Sequence, residues 1–230
     1  TERLLSNMGA DINIDGLNIT VKPSLIESRD IIVPGDISSA AFWMVAGSIH
    51  SNSEIMIRNV GINETRAGII SVLNRMGASL EFSNKKDYSG EPACDILVKS
   101  SNLKSTNISG KEIPLLIDEI PIIALAAVFA EGETLITDAE ELRFKESDRI
   151  SLTVNWMKAA GAKVEEFQDG MKITGTNYLG GGIFSSHGDH RLAMTLGIAS
   201  LISQETITIN DHEASNVSYP GFWENLNNLG

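Results

Sequence analysis

Asp36-Ile37-Ser38-Ser39-Ala40-Ala41-Phe42-Trp43-Met44-Val45-Ala46-Gly47 opens on a short acid and then runs apolar on most faces. Such a stretch reads as a helix with Asp36 at its N-cap, and a helix without a polar face belongs in an interior. Two counterparts follow: Asp118-Glu119-Ile120-Pro121-Ile122-Ile123-Ala124-Leu125-Ala126-Ala127 and Asp189-His190-Arg191-Leu192-Ala193-Met194-Thr195-Leu196-Gly197-Ile198-Ala199. Pro121 falls in the first turn, where a missing N–H costs little. A β-like run succeeds each helix, over 53–60, 133–137 and 205–210.

A second series interleaves with the first. Met8-Gly9-Ala10, Met76-Gly77-Ala78, Ala160-Gly161-Ala162 and Leu229-Gly230 each end a helix-like stretch on glycine, which closes a helix in the left-handed conformation. Alternating runs such as Ala78-Ser79-Leu80-Glu81-Phe82 and Ala162-Lys163-Val164-Glu165-Glu166-Phe167 then read as strands. The repeating unit is an acid-capped buried helix, a strand, a second helix ending in glycine, and further strands. Three units start near residues 36, 118 and 189. Residues 1–33 supply a helix end and strands without a first helix, and the third unit reaches Gly230 where its strands should begin. The expectation is a fragment, or a domain completed by sequence elsewhere; the alternative is a pair of divergent terminal caps.

Composition narrows the class. The 230 residues carry a net charge of −12, which repels nucleic-acid backbones and anionic lipid. No apolar run reaches the roughly 18 residues of a membrane helix, and Thr1-Glu2-Arg3 does not open a signal peptide. The single cysteine, Cys94, excludes an intrachain disulfide, and a cytoplasmic setting is expected. Cys94 itself reads as a small buried apolar residue rather than a nucleophile or ligand.

The chemistry-bearing residues gather at helix starts, where free N–H groups and the helix dipole favour anions. The densest group is Glu140-Glu141-Leu142-Arg143-Phe144-Lys145-Glu146-Ser147-Asp148-Arg149. A solvated loop with Asp148 capping the next helix is one reading. Cations fixed beside acids also suit a site that binds phosphate and moves protons. In Ser185-Ser186-His187-Gly188-Asp189-His190-Arg191 the spacing is wrong for a metal, and Asp189 as a cap with Arg191 facing a ligand is at least as good a reading. Capping explains one of Asp118 and Glu119; the second acid should meet a charge partner or a substrate hydroxyl. In Asn63-Glu64-Thr65-Arg66, capping accounts for Thr65 and Arg66 is exposed. Gly180-Gly181-Gly182 lacks the Lys-Ser/Thr of a P-loop and reads as a flexible turn.

Taken with Pro34-Gly35-Asp36-Ile37-Ser38-Ser39-Ala40, Ile117-Asp118-Glu119-Ile120-Pro121 and Gly188-Asp189-His190-Arg191-Leu192-Ala193-Met194, these segments resemble the 5-enolpyruvylshikimate-3-phosphate (EPSP) synthase family. Lys145-Glu146-Ser147-Asp148-Arg149 and Asp189-His190-Arg191-Leu192-Ala193-Met194 are the specific ones. The resemblance implies an α/β enolpyruvyl transferase-like domain, built of three repeated helix-and-strand units around buried parallel helices. Residues 34–230 would be the C-terminal domain and 1–33 the tail of the N-terminal one. It implies transfer of the enolpyruvyl group of phosphoenolpyruvate to the 5-hydroxyl of shikimate 3-phosphate, with release of phosphate and without metal or cofactor. Asp118 resembles the base at that hydroxyl. Lys145 resembles a shikimate 3-phosphate contact and proton carrier, and Glu146 the acid that protonates the methylene. Arg149 and Arg191 resemble the phosphoenolpyruvate grip, and Glu141 lies where the family contacts shikimate 3-phosphate. Arginine forks suit a ligand with carboxylate and phosphate.

Two departures stand out. Some members carry a lysine near the C-terminal Tyr-Pro motif, and Val217-Ser218-Tyr219-Pro220 has none. Further Lys, Arg, Ser and Gln ligands come from the family's N-terminal half, to which nothing here corresponds, so a complete site needs that half. The rival readings are the related UDP-N-acetylglucosamine enolpyruvyl transferase and a non-catalytic repeat domain. The last would leave Asp118, Arg149 and Arg191 far apart and exposed.

Overall fold

The structure, a computed structural model, describes residues 1–88 and 90–229; Gly230, the fourth glycine of the helix-ending series, lies outside the described residues. Helix α1 (Glu2–Asn7) leads into the antiparallel hairpin β1 (Asp11–Asp15) and β2 (Asn18–Lys22), then a stretch without regular structure. No residue before Ile37 is buried, and Leu17, Leu25 and Val33 stand open to solvent.

The first unit holds α2 (Ile37–Ile49), β3 (Glu54–Gly61), α3 (Gly68–Arg75), β4 (Ser79–Tyr88) and β5 (Glu91–Lys99). Its antiparallel sheet has the order β3-β5-β4. The second holds β6 (Asn107–Ile108), α4 (Ile120–Val128), β7 (Glu133–Ile136), α5 (Arg149–Ala159), β8 (Lys163–Phe167) and β9 (Gly170–Thr174), with the order β6-β7-β9-β8. The third holds β10 (Gly182–Ser185), α6 (His190–Ser200), β11 (Ile207–Asn210) and α7 (Phe222–Asn227). One rule runs through all three. The strand before the buried helix pairs in parallel with the strand after it: β6 with β7, β10 with β11, and in the first unit the single bridge Gly35–Val60. The antiparallel pair that completes units one and two is absent from unit three among the described residues.

The helix signals act locally as their chemistry requires. The Asp36 carboxylate accepts from Ser38 N and Ser39 N, that of Asp189 from Arg191 N and Leu192 N, and that of Asp148 from Ser151 N. Three expectations need correction. Neither Asp118 nor Glu119 caps α4 with its side chain: two 3-10 turns, Gly110–Leu115 and Ile117–Glu119, lead into the helix, and Pro121 in its first turn needs no acceptor. Thr65 does not cap α3 either; it lies in a turn where Asn63 Oδ1 accepts its N–H, and α3 begins after Ala67. Gly180-Gly181-Gly182 is not a loose turn. A Cβ on Gly181 would stand 2.4 Å from Thr206 O, so the glycines let β10 come against the neighbouring chain.

Helices α2, α4 and α6 pack on one another, and every residue of α4 is buried. Gly197 lets α6 come close to α7: a Cβ there would meet Phe222 Cε1 at 2.8 Å. The ring of units is closed between the third and the first by aromatics. Trp43 stacks on Phe222 at 5.2 Å and donates from Nε1 to Tyr219 Oη at 3.1 Å. Tyr219 of the Tyr-Pro motif therefore joins α7 to α2. The three N-termini point to one end of the bundle. At the other end a cleft of about 640 Å³ is lined by Ile49, Phe129, Glu131 and Thr176 among others.

Gly9, Gly77 and Gly161 have φ of +95°, +86° and +83°, as the repeat requires. A Cβ on Gly77 would find nothing nearer than Asn102 O at 3.8 Å, so only backbone conformation opposes a side chain there. Gly77→Ala should cost about 1–2 kcal/mol in urea unfolding and Gly77→Asn less, because asparagine tolerates the left-handed region.

Candidate active site

Arg149 opens α5 with a guanidinium that is 1% exposed. Its Nε donates to Asp189 Oδ2 at 2.8 Å, its Nη1 to Asp118 Oδ1 at 3.2 Å and its Nη2 to Glu146 Oε2 at 2.6 Å. One side chain thus ties the starts of α4, α5 and α6 together. Asp189, fully buried, serves twice: it caps α6 and it fixes Arg149, and Ser147 Oγ donates to its Oδ2 at 2.8 Å. Around this knot lie Lys145, whose Nζ is 2.9 Å from Glu141 and 3.9 Å from Asp118, and Arg66, whose Nη2 is 3.4 Å from Asp118 Oδ2. Arg191 stands behind, with Nη1 3.7 Å from Glu119 Oε1.

The electrostatics separate the carboxylates. Burial alone would raise the pKa of Asp118. The field of Arg191, then Lys145, Arg149 and Arg66, overcomes it and holds the group below the ordinary aspartate range. Asp189 behaves alike: burial opposes ionisation, and the bond and charge of Arg149, with Ser147, reverse the balance. For Glu119 burial prevails over Ser38 and Arg191, and its pKa is raised. His190 is pushed down, first by burial and then by Arg191, so its imidazole favours the neutral form.

The structure brings Asp118, Lys145, Glu146 and Arg149 into one contact network, with Glu141 attached through Lys145 and Arg191 adjacent through Glu119. The separation that a non-catalytic repeat domain required is not found. Arg149 is less free than its sequence setting suggests, because it reaches a ligand only by exchanging Glu146 or Asp118. Arg143 stands apart from the network, holding Asp148 and Glu166 at 2.8 and 2.9 Å. Sequence reasoning missed Arg66, Ser38, Ser147 and Glu119 as members. Arg66 was visible as the cation of Asn63-Glu64-Thr65-Arg66, but its contacts to Ser38 and Asp118 cross 28 and 52 residues.

The sequence profile described as EPSP synthase (3-phosphoshikimate 1-carboxyvinyltransferase) matches residues 1–226. The chain belongs to the EPSP synthase family. The 3-phosphoshikimate 1-carboxyvinyltransferases of Syntrophotalea carbinolica and Bacillus subtilis are each 49% identical to it over the whole of this chain and 53% and 54% of their own length. The EPSP synthase of Acinetobacter baumannii superposes with a TM-score of 0.96 at 39% identity, over 100% of this chain and 54% of that one. The enolpyruvyl transferase NikO of Streptomyces tendae shares the fold, with a TM-score of 0.77 at 21% identity over 98% of this chain and 51% of its own. This EPSP synthase-family chain therefore spans about half the length of the relatives it matches.

Asp189→Asn leaves Arg149 short of its buried counter-charge, and about 3 kcal/mol should be lost near neutral pH. The folded pKa of Asp189 lies below its unfolded value, so its contribution is full above about pH 3.9 and fades as pH falls through the folded pKa. The stability gap between parent and variant, read from urea midpoints across pH, should therefore be widest at neutral pH and close in acid.

Proposed function

We propose that this chain carries the C-terminal share of an enolpyruvyl transferase site. That site joins phosphoenolpyruvate to the 5-hydroxyl of shikimate 3-phosphate and releases phosphate. The observation that carries this reading is the network of Asp118, Lys145, Glu146 and Arg149, in which acids and cations alternate at 2.6 to 3.9 Å. Addition across the enol double bond needs a proton placed on the methylene carbon and one taken from the attacking hydroxyl. Glu146, half exposed, can deliver the first and Asp118 receive the second. Lys145 and Arg191 hold the phosphate and carboxylate charges, and Arg149 joins them by releasing Glu146. The reading needs no metal or cofactor.

The depressed pKa of Asp118 fits a base whose strength depends on the ligands. While its four cations carry no ligand anion it is ionised but weakly basic. Anionic ligands that neutralise Lys145 and Arg191 raise its proton affinity when the hydroxyl is in place. Lys145-Glu146-Ser147-Asp148-Arg149 favours the shikimate substrate over a UDP sugar, and the two can be separated by titrating each against the protein encoded by the natural reading frame.

We further propose that residues 1–33, which bury nothing before Ile37, belong to a separate domain supplying the remaining ligands. The strands that unit three lacks would then come from outside this stretch. We place the chain's setting in the cytoplasm, in keeping with a single cysteine; among the described residues no helix is long and apolar enough to cross a membrane. In residues 1–230 alone Lys145, Arg149, Arg191 and Arg66 each face a carboxylate, so an anion must displace one at every cation, Arg66 and Lys145 at the hydrated rim and Arg149 and Arg191 deeper in. Binding of phosphoenolpyruvate no tighter than about millimolar, and no turnover, are expected.

Adding the complementary half in trans should restore phosphate release from phosphoenolpyruvate and shikimate 3-phosphate. Asp118→Asn should then lower the rate by about 10²–10⁴-fold, the usual worth of a general base. Phosphate release by the isolated chain at the complemented rate, insensitive to Asp118→Asn, would sink the proposal.

A further inference from the structure

Glu119 is a buried acid that the mechanism above does not use. It is 1% exposed and makes no capping bond to α4. Its Oε1 accepts a 2.5 Å hydrogen bond from Ser38 Oγ, and Ser38 Oγ in turn accepts from Arg66 Nη2 at 3.2 Å. The same Oε1 stands 3.7 Å from Arg191 Nη1, too far for a hydrogen bond. Two polar atoms beside this gap are buried without partners: Glu119 Oε2 and Arg191 Nε. Buried polar atoms are seldom left unpaired, because each forfeits its hydration for nothing. A donor and an acceptor orphaned on two residues that already face each other describe a fork that has not closed.

The placement gives that fork a purpose. Ser38 lies in the first turn of α2, Glu119 at the start of α4 and Arg191 in the first turn of α6, so the carboxylate sits where the three units meet. It lies one residue behind Asp118, with Arg66 on one side and Arg191 on the other. A guanidinium carries five donors in a fixed plane, and a carboxylate on its inner edge determines where the outer edge points.

We infer that Glu119 is a positioning residue for the enolpyruvyl-transfer site. It faces the inner edge of Arg191, where the open fork can close to two bonds, and, through Ser38, steadies Arg66, so that both guanidiniums present their outer edges to the ligand anions. Glu119 touches no ligand itself. The inference rests on the reading of the site given above.

The test is Glu119→Gln, which preserves the shape and the acceptor for Ser38, made in the protein encoded by the natural reading frame. Removing a negative charge beside an anion site tightens the anion by simple Coulomb attraction. Glutamine keeps the Ser38 bond, and Arg191, 13% exposed and 3.7 Å away, is not left as a fully buried unpaired charge, so little stability should be lost. Positioning predicts the opposite for the ligand. The KM for phosphoenolpyruvate should rise about tenfold while kcat stays within about threefold and the thermal midpoint holds. Ser38→Ala should raise KM less, since it spares the Arg191 side. Inorganic phosphate titrated against parent and variant by NMR provides a readout without turnover, and its Kd should weaken in parallel. A KM and phosphate Kd that stay the same or fall in Glu119→Gln overturn the inference. So does a lowered thermal midpoint with unchanged KM, which is the mark of a purely structural acid. If the parent fails to turn over phosphoenolpyruvate and shikimate 3-phosphate, the functional reading fails, and the phosphate comparison still decides the role of Glu119.

Discussion

The buried ion pair between Arg149 and Asp189 is the constraint on which the site depends. Neither charge is accessible to water, and an isolated charge at that depth would cost several kcal/mol. The pair persists because each partner makes several hydrogen bonds. Asp189 takes two α6 amides, the Ser147 hydroxyl and the Arg149 fork, while Arg149 also donates to Asp118 and Glu146. Burying this pair brings the starts of α5 and α6 together and orients two carboxylates at the rim. Stability and function thus share one group.

The repeat supplies a frame, and the site is built from departures from it. Asp36 and Asp189 occupy equivalent places and spend their carboxylates on capping. Asp118 occupies the third such place and does not cap, because 3-10 turns and Pro121 deliver the chain to α4 by another route. Its carboxylate is left to face Arg149, Lys145 and Arg66. The polar end of the bundle is also the end where three helix dipoles present their positive poles. Among the described residues, none that line the cleft at the opposite end, such as Ile49, Phe129 and Glu131, is a lysine or arginine.

Much of this was legible in residue order. Apolar character on most faces, Ala and Gly content and a leading acid sufficed to place the three buried helices, although that acid caps only α2 and α6. The left-handed glycines at 9, 77 and 161 are required by local backbone geometry alone, so they too can be read without a structure. The clustering of Asp118, Lys145, Glu146 and Arg149 follows once three helix starts are assigned to one end of a bundle. What the residues did not disclose is how each charge is spent. Arg149 reads as a free cation and proves to be bonded to three carboxylates; Arg66 is exposed as it reads, and it also bridges Ser38 and Asp118.

The division has a physical basis. Capping, helix termination and burial of an apolar run depend on neighbours within a few residues, and the amino-acid sequence determines them directly. Ion pairing among Asp118, Arg149, Asp189 and Arg66 depends on partners 31 to 52 residues apart, whose meeting is decided by how the units pack. The same holds for the pKa order that places Asp118 below and Glu119 above the ordinary range. Adjacent in sequence and both acidic, they are separated only by the tertiary structure, which turns one toward four cations and closes the other into the junction of three helices.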